Sequence, residues 1–274
     1  MIVGIIGLGL IGASYAAGLK AAGHTILGHD RDASVMKRAE EEGIVDGDYF
    51  QDPFACDALI LALLPEANVA FVRTHASRLK AGLVLSDVAG VKKPMMDAIE
   101  ATIPKGVHYL SHHPMAGNPE GGFKNHDKAL FRGANAIFVE GTGPDQKAAT
   151  ILKGLVEDLG MRKTLTVSKA THDAFIAHTS QLTHLIASAL ILSNGGTIPL
   201  EASGNSYRDL TRIGDIDAAL WTPLFMANKA ALLKALSTFK DAFSELETAL
   251  QEEDYERIEA LLQRTRKLWR DQNH

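Results

Sequence analysis

The first part of the chain, about 165 residues, alternates short β-rich runs with segments of helical periodicity. Ile2–Ile6, Thr25–His29, Asp57–Leu63, Leu83–Asp87, His108–Ser111 and Ala134–Val139 read as strands, and Thr164–Val167 as one more. The spacing predicts helices over Ala33–Glu42, Glu66–Leu79, Val91–Thr102 and Pro144–Leu159. Strands alternating with helices argue for an α/β unit built on a parallel, doubly wound sheet. Ile5–Ile6 and Ala58–Leu64 are apolar at successive positions, as central strands covered on both faces require. After Ser168 the pattern changes and no β-rich alternation returns. Thr171–Ser193 is one long helical segment. Trp221–Leu250 is a second, with Leu232, Leu233, Leu236, Phe239, Phe243 and Leu246 on its apolar face. Tyr255–Trp269 is a third. The chain therefore divides into residues 1–167 and a helical unit, 168–274. No repeat or Pro/Ser-rich linker separates them, so the two are expected to be tightly joined.

Gly7-Leu8-Gly9-Leu10-Ile11-Gly12 follows the first strand and opens a helix. In this G-x-G-x-x-G pattern Gly7 allows the tight turn, Gly9 admits a pyrophosphate to the backbone, and Gly12 permits close helix–strand packing. The helix N-terminus offers free N–H groups to phosphates. The pattern alone is weak, since glycine-rich turns are common; strand, helix and a following acid make it specific. Asp30 lies 18 residues beyond Gly12, near the spacing expected of a ribose-binding acid. A carboxylate there accepts from ribose hydroxyls and repels a 2′-phosphate, which favours NAD over NADP. Arg31 is the complication, because a guanidinium can stack on adenine or meet a phosphate. Leu63 and Pro65, at the end of the Asp57–Leu63 strand, complete the candidate cofactor set.

Fingerprint and fold do not name a reaction. More is carried by Ser111-His112-His113-Pro114-Met115-Ala116-Gly117, expected just past a strand end, where open α/β sheets bind ligands. His172-Asp173 follows, then Ser180-Gln181-Leu182-Thr183-His184, then Gly204-Asn205-Ser206-Tyr207-Arg208-Asp209-Leu210-Thr211-Arg212-Ile213, with Trp221 nine residues beyond Arg212. In these four ordered motifs the sequence resembles the prephenate/arogenate dehydrogenase family of tyrosine biosynthesis, over essentially the whole chain. The resemblance implies a Rossmann-type doubly wound sheet followed by an all-α helical dimerisation domain. It also implies an active site between the two, NAD as cofactor, and a homodimer in the cytoplasm.

The same resemblance gives His113 the place of the family's catalytic histidine. In the family reaction hydride leaves C4 of a cyclohexadienol ring for NAD, the ring carboxylate departs as CO2, and a phenol results. A neutral imidazole suits the C4 hydroxyl as hydrogen-bond acceptor. His112, on the opposite face of an extended chain, reads as structural. Arg212 matches the substrate-binding arginine and is assigned to the side-chain carboxylate. A strong grip on the departing ring carboxylate would stabilise the ground state over the transition state. His184 matches a substrate-binding histidine, Ser180 shares its helix face, and Trp221 matches a tryptophan near the substrate side chain. A surface ion pair of Arg212 with Asp209, interhelical polar contacts and core packing are the respective plain alternatives.

The sequence also departs from the family. Gly90, in Ser86-Asp87-Val88-Ala89-Gly90-Val91-Lys92, stands where a serine is common, so a hydroxyl that could orient His113 is missing and another group must do that work. Gln181 and Thr183 replace histidine and proline, and Asn205 and Ser206 replace glycines. Asn118-Pro119-Glu120 shifts or removes an acidic gate. With no clear acid to meet the arogenate ammonium, the balance tilts to prephenate. Two other readings stay open. One is a β-hydroxyacid-type dehydrogenase, although the long helix carries histidines where such enzymes place a lysine, Lys169 preceding it. The other is a non-catalytic NAD-sensing homologue.

Composition narrows the partners. With 28 basic and 33 acidic residues the net charge of −5 points away from nucleic acid and anionic membranes. The apolar N-terminus lacks a basic segment and turns glycine-rich, unlike a signal peptide. One cysteine, Cys56, excludes an intrachain disulfide and a thiolate zinc site and fits a reducing cytosol. It reads as a packed thiol. Ala174–Leu200 contains no Asp, Glu, Lys or Arg, yet its many polar residues suit a helix buried in protein better than a membrane span. His172, His178 and His184, six apart, fall about 240° apart in succession on a helix and do not converge on a metal. Gln251–Arg270 reads as a solvated helix face. On this division the length leaves nothing for a mutase or regulatory domain.

Overall fold

The computed structural model describes residues 1–118, 120–141 and 145–273. Pro119, Pro144 and the side chain of Leu200, each part of an expectation above, lie outside that description. The first unit runs β1 (Ile2–Ile6), α1 (Leu10–Ala21), β2 (Thr25–His29), α2 (Ala33–Glu41), β3 (Gly47–Asp48), β4 (Ala58–Leu61), α3 (Pro65–His75), β5 (Val84–Asp87), α4 (Lys93–Glu100) and β6 (His108–Tyr109). Its six strands lie parallel in the order β3-β2-β1-β4-β5-β6. The chain reverses its direction of winding between β1 and β4, which opens a crevice at the carboxyl ends of those strands. Period-two alternation divides the core. Val3, Ile5 and Ile60 point to the α1 side, with Leu19 and Leu155. Ile6, Leu59, Leu61 and Leu85 point to the α3/α4 side, with Val72 and Met96.

The expected strand His108–Ser111 is in fact two. His108–Tyr109 closes the large sheet, and after Leu110 the chain enters β7 (Ser111–Pro114) in a second sheet, β7-β8-β9. There β7 runs antiparallel to β8 (Asn135–Glu140), and β8 parallel to β9 (Lys163–Ser168) after α5 (Gln146–Asp158). The crossing carries His112 and His113 off the main sheet and across its carboxyl edge.

The helical unit begins as β9 ends. Ser168 caps α6 (Lys169–Ile176), accepting from the Thr171 N–H. The helix continues through a π-turn, Ala177–Gln181, into α7 (Leu182–Asn194), which ends at Gly195 in the left-handed conformation. Then come α8 (Asn205–Thr211), α9 (Ala218–Ala227), α10 (Lys229–Gln251) and α11 (Tyr255–Asn273). The segment Trp221–Leu250, expected as one helix, breaks at Asn228. The Asn228 side chain is buried and donates to the Asp173 carbonyl (2.9 Å) and to Gln181 Oε1 (2.7 Å), so a tertiary demand bends the chain where periodicity does not. Lys169–Asn194 is long and apolar enough to cross a membrane by length and composition. Its His172, Asp173 and Gln181 are nevertheless buried and hydrogen-bonded within the protein.

Candidate active site

The loop from β1 to α1 has the shape a dinucleotide needs. Gly7 has φ +90°, a conformation that favours glycine, and its N–H donates to the His29 carbonyl. A Cβ on Gly12 would lie 1.8 Å from the Gly7 carbonyl oxygen, so only glycine lets α1 pack this close. At Gly9 a Cβ would meet nothing within 4 Å, and no side chain caps α1 there. The first-turn N–H groups thus face open space, which fits a pyrophosphate. Leu8 and Leu10 are buried anchors on either side of Gly9. Asp30 is locked from two directions: Oδ2 accepts from the Leu8 N–H (2.8 Å) and Oδ1 from the Asp32 N–H (3.0 Å). Each oxygen keeps a lone pair for a ribose hydroxyl. Gly7, Asp30, Arg31 and Leu63 line a cleft of about 480 Å³ whose far wall includes Phe50, Phe71 and His75. Pro65, the first residue of α3, is buried and is not among the residues that line it. The residues present therefore fit the adenosine and phosphate parts of NAD.

A second cleft, about 530 Å³, brings together Ile11, Gly90, His113, Ser180, His184, Arg212 and Trp221. Residues scattered over two hundred positions of sequence converge because β7 lies over the sheet edge and α6–α7 cross in front of it.

His113 sits at the centre of a defined hydrogen-bond chain. Its Nδ1 is 3.1 Å from His172 Nε2, and His172 Nδ1 is 2.8 Å from Asp173 Oδ1. Asp173 also accepts from the backbone N–H of Lys92 (2.9 Å) and of Lys93 (2.8 Å). A carboxylate so supplied with donors is an acceptor only. That assigns the proton of His172 to Nδ1 and leaves its Nε2 as an acceptor. His113 must then donate from Nδ1, and its Nε2 carries a bare lone pair. A Cβ on Gly90 would stand 3.8 Å from His113 Nε2 and Cε1, with ordinary contact only. The glycine therefore opens space beside this nitrogen, and the group holding the ring from behind is His172.

The same region keeps its histidines neutral. Burial holds His113 well below the usual histidine range, reinforced by the nearby Lys92, His172 and His112. Burial lowers His172 as well, although Asp173 acts in the opposite direction. His112, fully buried, is pushed down to about 3 by burial and then by Lys92. It is clamped between the Tyr15 hydroxyl (2.7 Å) and Ser86 Oγ (2.8 Å), in the structural role its place in the strand predicts. Lys92 is itself wholly buried. Its Nζ donates to Asp87 Oδ1 (2.7 Å) and to the His112 carbonyl (2.8 Å), while Tyr109 donates to the other Asp87 oxygen.

Elsewhere in the cleft, His184 Nδ1 donates to the Ser180 carbonyl (2.9 Å), and its ring lies 3.8 Å from the Trp221 ring, centroid to centroid. Arg212 makes no ion pair with any described residue, with Asp209 or otherwise. Asp215 and Asp217 also line the cleft. The expectation that no acid is near therefore does not hold. Sequence reasoning gave no role to His172, Asp173, Lys92 or Asp215. The His172-Asp173 pair was visible as a motif, but nothing in its spacing shows that α6 sets it behind β7. Cys56 is a buried thiol, pushed up to about 12 by burial, and takes no part. Among the described residues no group of three or more His, Cys, Asp or Glu could hold a metal.

Residues 15–165 match the family described as prephenate dehydrogenase, nucleotide-binding domain, and residues 168–264 match prephenate dehydrogenase, dimerization domain. The chain belongs to the prephenate dehydrogenase family. It is an oxidoreductase of the prephenate/arogenate dehydrogenase type, with a Rossmann nucleotide-binding domain followed by a helical domain. The cyclohexadienyl dehydrogenase of Zymomonas mobilis is 30% identical over 267 residues, 92% of this chain and 89% of that protein. Arogenate dehydrogenase from Synechocystis superimposes with a TM-score of 0.87 at 25% identity, each chain covered in full. Prephenate dehydrogenase from Aquifex aeolicus, solved with hydroxyphenyl propionate and NAD+, shares the fold: TM-score 0.89, 24% identity, 100% of this chain and 98% of that one.

The buried neutral rings make stability depend on pH in a definite direction. A histidine whose folded pKa is depressed binds fewer protons folded than unfolded, so its stabilisation is full above about 6.5 and is lost as pH falls. His112 alone should cost about 2 kcal/mol between pH 7.5 and pH 5, above the range where carboxylates titrate. Thermal unfolding should therefore occur at clearly lower temperature at pH 5 than at pH 7.5; equal melting temperatures would contradict the buried neutral assignment.

Proposed function

We propose that the protein catalyses NAD-dependent oxidative decarboxylation of prephenate to 4-hydroxyphenylpyruvate, or of arogenate to tyrosine, in tyrosine biosynthesis. The observation that carries this reading is the Asp173–His172–His113 chain, which turns an unprotonated Nε2 into a cleft shared with the unpaired Arg212. Gly7–Gly12 with Asp30 would hold the pyrophosphate and ribose of NAD; Leu8, Leu10, Ile11, Arg31, Leu63 and Pro65 complete that set. NAD supplies the hydride acceptor.

His113 Nε2 accepts the hydrogen bond of the C4 hydroxyl, so negative charge gathers on that oxygen as hydride leaves C4. Breaking the bond to the ring carboxylate then returns an electron pair to the ring, and the product is a phenol with CO2. Arg212 holds the side-chain carboxylate, and His184 and Trp221 form a stacked wall beside it, with Ser180 on the same helix. Among the described lining residues Arg212 is the one arginine and there is no lysine, so no permanent cation is left to hold the departing ring carboxylate in place. His172 and Asp173 act through His113 as positioning residues.

We further propose a cytoplasmic homodimer with division into residues 1–167 and 168–274. Leu192 on α7, Phe243 and Leu250 on α10 and Trp269 on α11 are exposed, and large apolar side chains left in the open on the helical unit suit burial by a two-fold partner. The run Gln251–Arg270 thus carries exposed apolar residues as well as solvated charge.

The test is turnover of prephenate and of arogenate with NAD, following NADH and CO2. His113→Asn should lower kcat by about a hundredfold or more. In the wild type kcat should fall only well below pH 6.5, because His113 stays neutral to lower pH than a free imidazole. No turnover of either substrate would sink the proposal. Arg212→Ala should raise KM for substrate about tenfold to a hundredfold, with NAD affinity nearly unchanged; equal losses for both ligands would remove Arg212 from the substrate site.

A further inference from the structure

The cleft holds more charge than the reaction uses, and its arrangement selects a substrate. Arg212, Asp215 and Asp217 lie on one short stretch that leaves α8 through a single 3-10 turn, Arg212–Gly214, and enters α9. All three line the cleft that contains His113. Their electrostatic situations differ. Asp217 caps α9: its Oδ1 accepts from the N–H groups of Ala219 (2.8 Å) and Leu220 (3.4 Å), and the partial positive charge of the helix N-terminus offsets its own. Asp215 has no such compensation. Among the described residues its carboxylate accepts no hydrogen bond and forms no ion pair, and the Arg212 guanidinium likewise donates none and forms no ion pair. The remaining polar lining consists of Asn118, Ser180, Gln181, His113 and His184. Gln181 is committed to Leu224 and Asn228, and His184 Nδ1 to Ser180. The uncommitted permanent charges are thus one guanidinium and one carboxylate, three residues apart.

From this pair, and resting on the dehydrogenase reading above, we infer that the preferred substrate carries an α-amino acid side chain, as arogenate does, and that Asp215 is the residue that selects it. The head group of an α-amino acid presents a carboxylate and an ammonium on one carbon. The carboxylate meets Arg212 in the bidentate manner a guanidinium allows. The ammonium, with three donors and no acceptor, meets Asp215. An α-keto acid puts a carbonyl oxygen in the ammonium's place, so that acceptor faces acceptor. Net charge favours the same choice. Prephenate is a dianion entering a cleft whose uncommitted permanent charges sum to zero, and nothing there neutralises its second charge. Arogenate, with its ammonium, carries one negative charge fewer and leaves only the departing ring carboxylate unpaired. Because Arg212 and Asp215 are both exposed at the rim, the ion pairs form where water screens them, and the discrimination is moderate rather than absolute.

The experiment measures kcat/KM for arogenate and for prephenate with NAD, in the wild type and in Asp215→Asn. The substitution keeps shape, sits on the surface and removes only the charge. The wild type should favour arogenate. Asp215→Asn should lower the arogenate-to-prephenate ratio by about tenfold, chiefly through the KM of arogenate, since loss of an attraction and relief of a repulsion act in one direction. A wild type that favours prephenate, or a ratio that Asp215→Asn leaves unchanged, overturns this inference and leaves the dehydrogenase reading standing. Turnover of neither substrate overturns both.

Discussion

The carboxylate of Asp173 is the interaction on which the rest of this site depends. It accepts from two successive backbone N–H groups at the start of α4 and from the His172 ring, while its own carbonyl accepts from Asn228. Through its side chain and its backbone carbonyl, this one residue ties the Rossmann unit to α6 and to the start of α10. It also fixes a proton position. An acceptor-only group at one end of a two-imidazole chain leaves no choice of tautomer, and the lone pair emerges at His113 Nε2, on the side where Gly90 leaves room. Removing the carboxylate would leave two backbone donors and one ring donor unpaired in the interior, each at a cost of about 1–3 kcal/mol. Architecture and chemistry here share a single anchor.

The second constraint is the buried cation. Lys92 is wholly enclosed, and desolvation draws its pKa down while Asp87 acts to hold it charged. Burying such a pair contributes little to stability in itself, because the cost of desolvation offsets the attraction. Its effect is on its neighbours. A positive charge beneath the β7 backbone disfavours a second one on His112, His113 or His172. His113 is thereby kept in its neutral form at pH values where an exposed imidazole would begin to charge. The Lys92 Nζ also grips the His112 carbonyl, so the strand carrying His113 is held by the group that tunes it.

Much of this was legible in the sequence because local patterns carried it. β1 and β4 are apolar at nearly every position, and the glycines at 7 and 12 report a backbone shape that only glycine permits. His113, His184 and Arg212 were picked out by motif, and the fold gathers them into one cleft. What could not be read depends on contacts distant in sequence. Fifty-nine residues separate His113 from His172, and no periodicity reveals that they touch. Leu110 has nothing to mark it as the point where the chain changes sheets. Asn228 breaks a helix for the sake of Asp173 and Gln181, and short β3 and α8 give too few residues to establish a pattern. Asp215 carries no local signal of its place: the segment after His113 offers no acid to the cleft, which takes its acids from the turn after Arg212.

Asp173, through His172, presents His113 to the cleft as a neutral ring protonated on Nδ1. Imidazole 15N chemical shifts of the intact protein, followed by NMR from pH 8 downward, test it most directly. His113 should keep the Nδ1–H tautomer and show no protonation at about pH 6.5, the midpoint of an unperturbed histidine. A His113 that titrates there, or whose proton resides on Nε2, would contradict it.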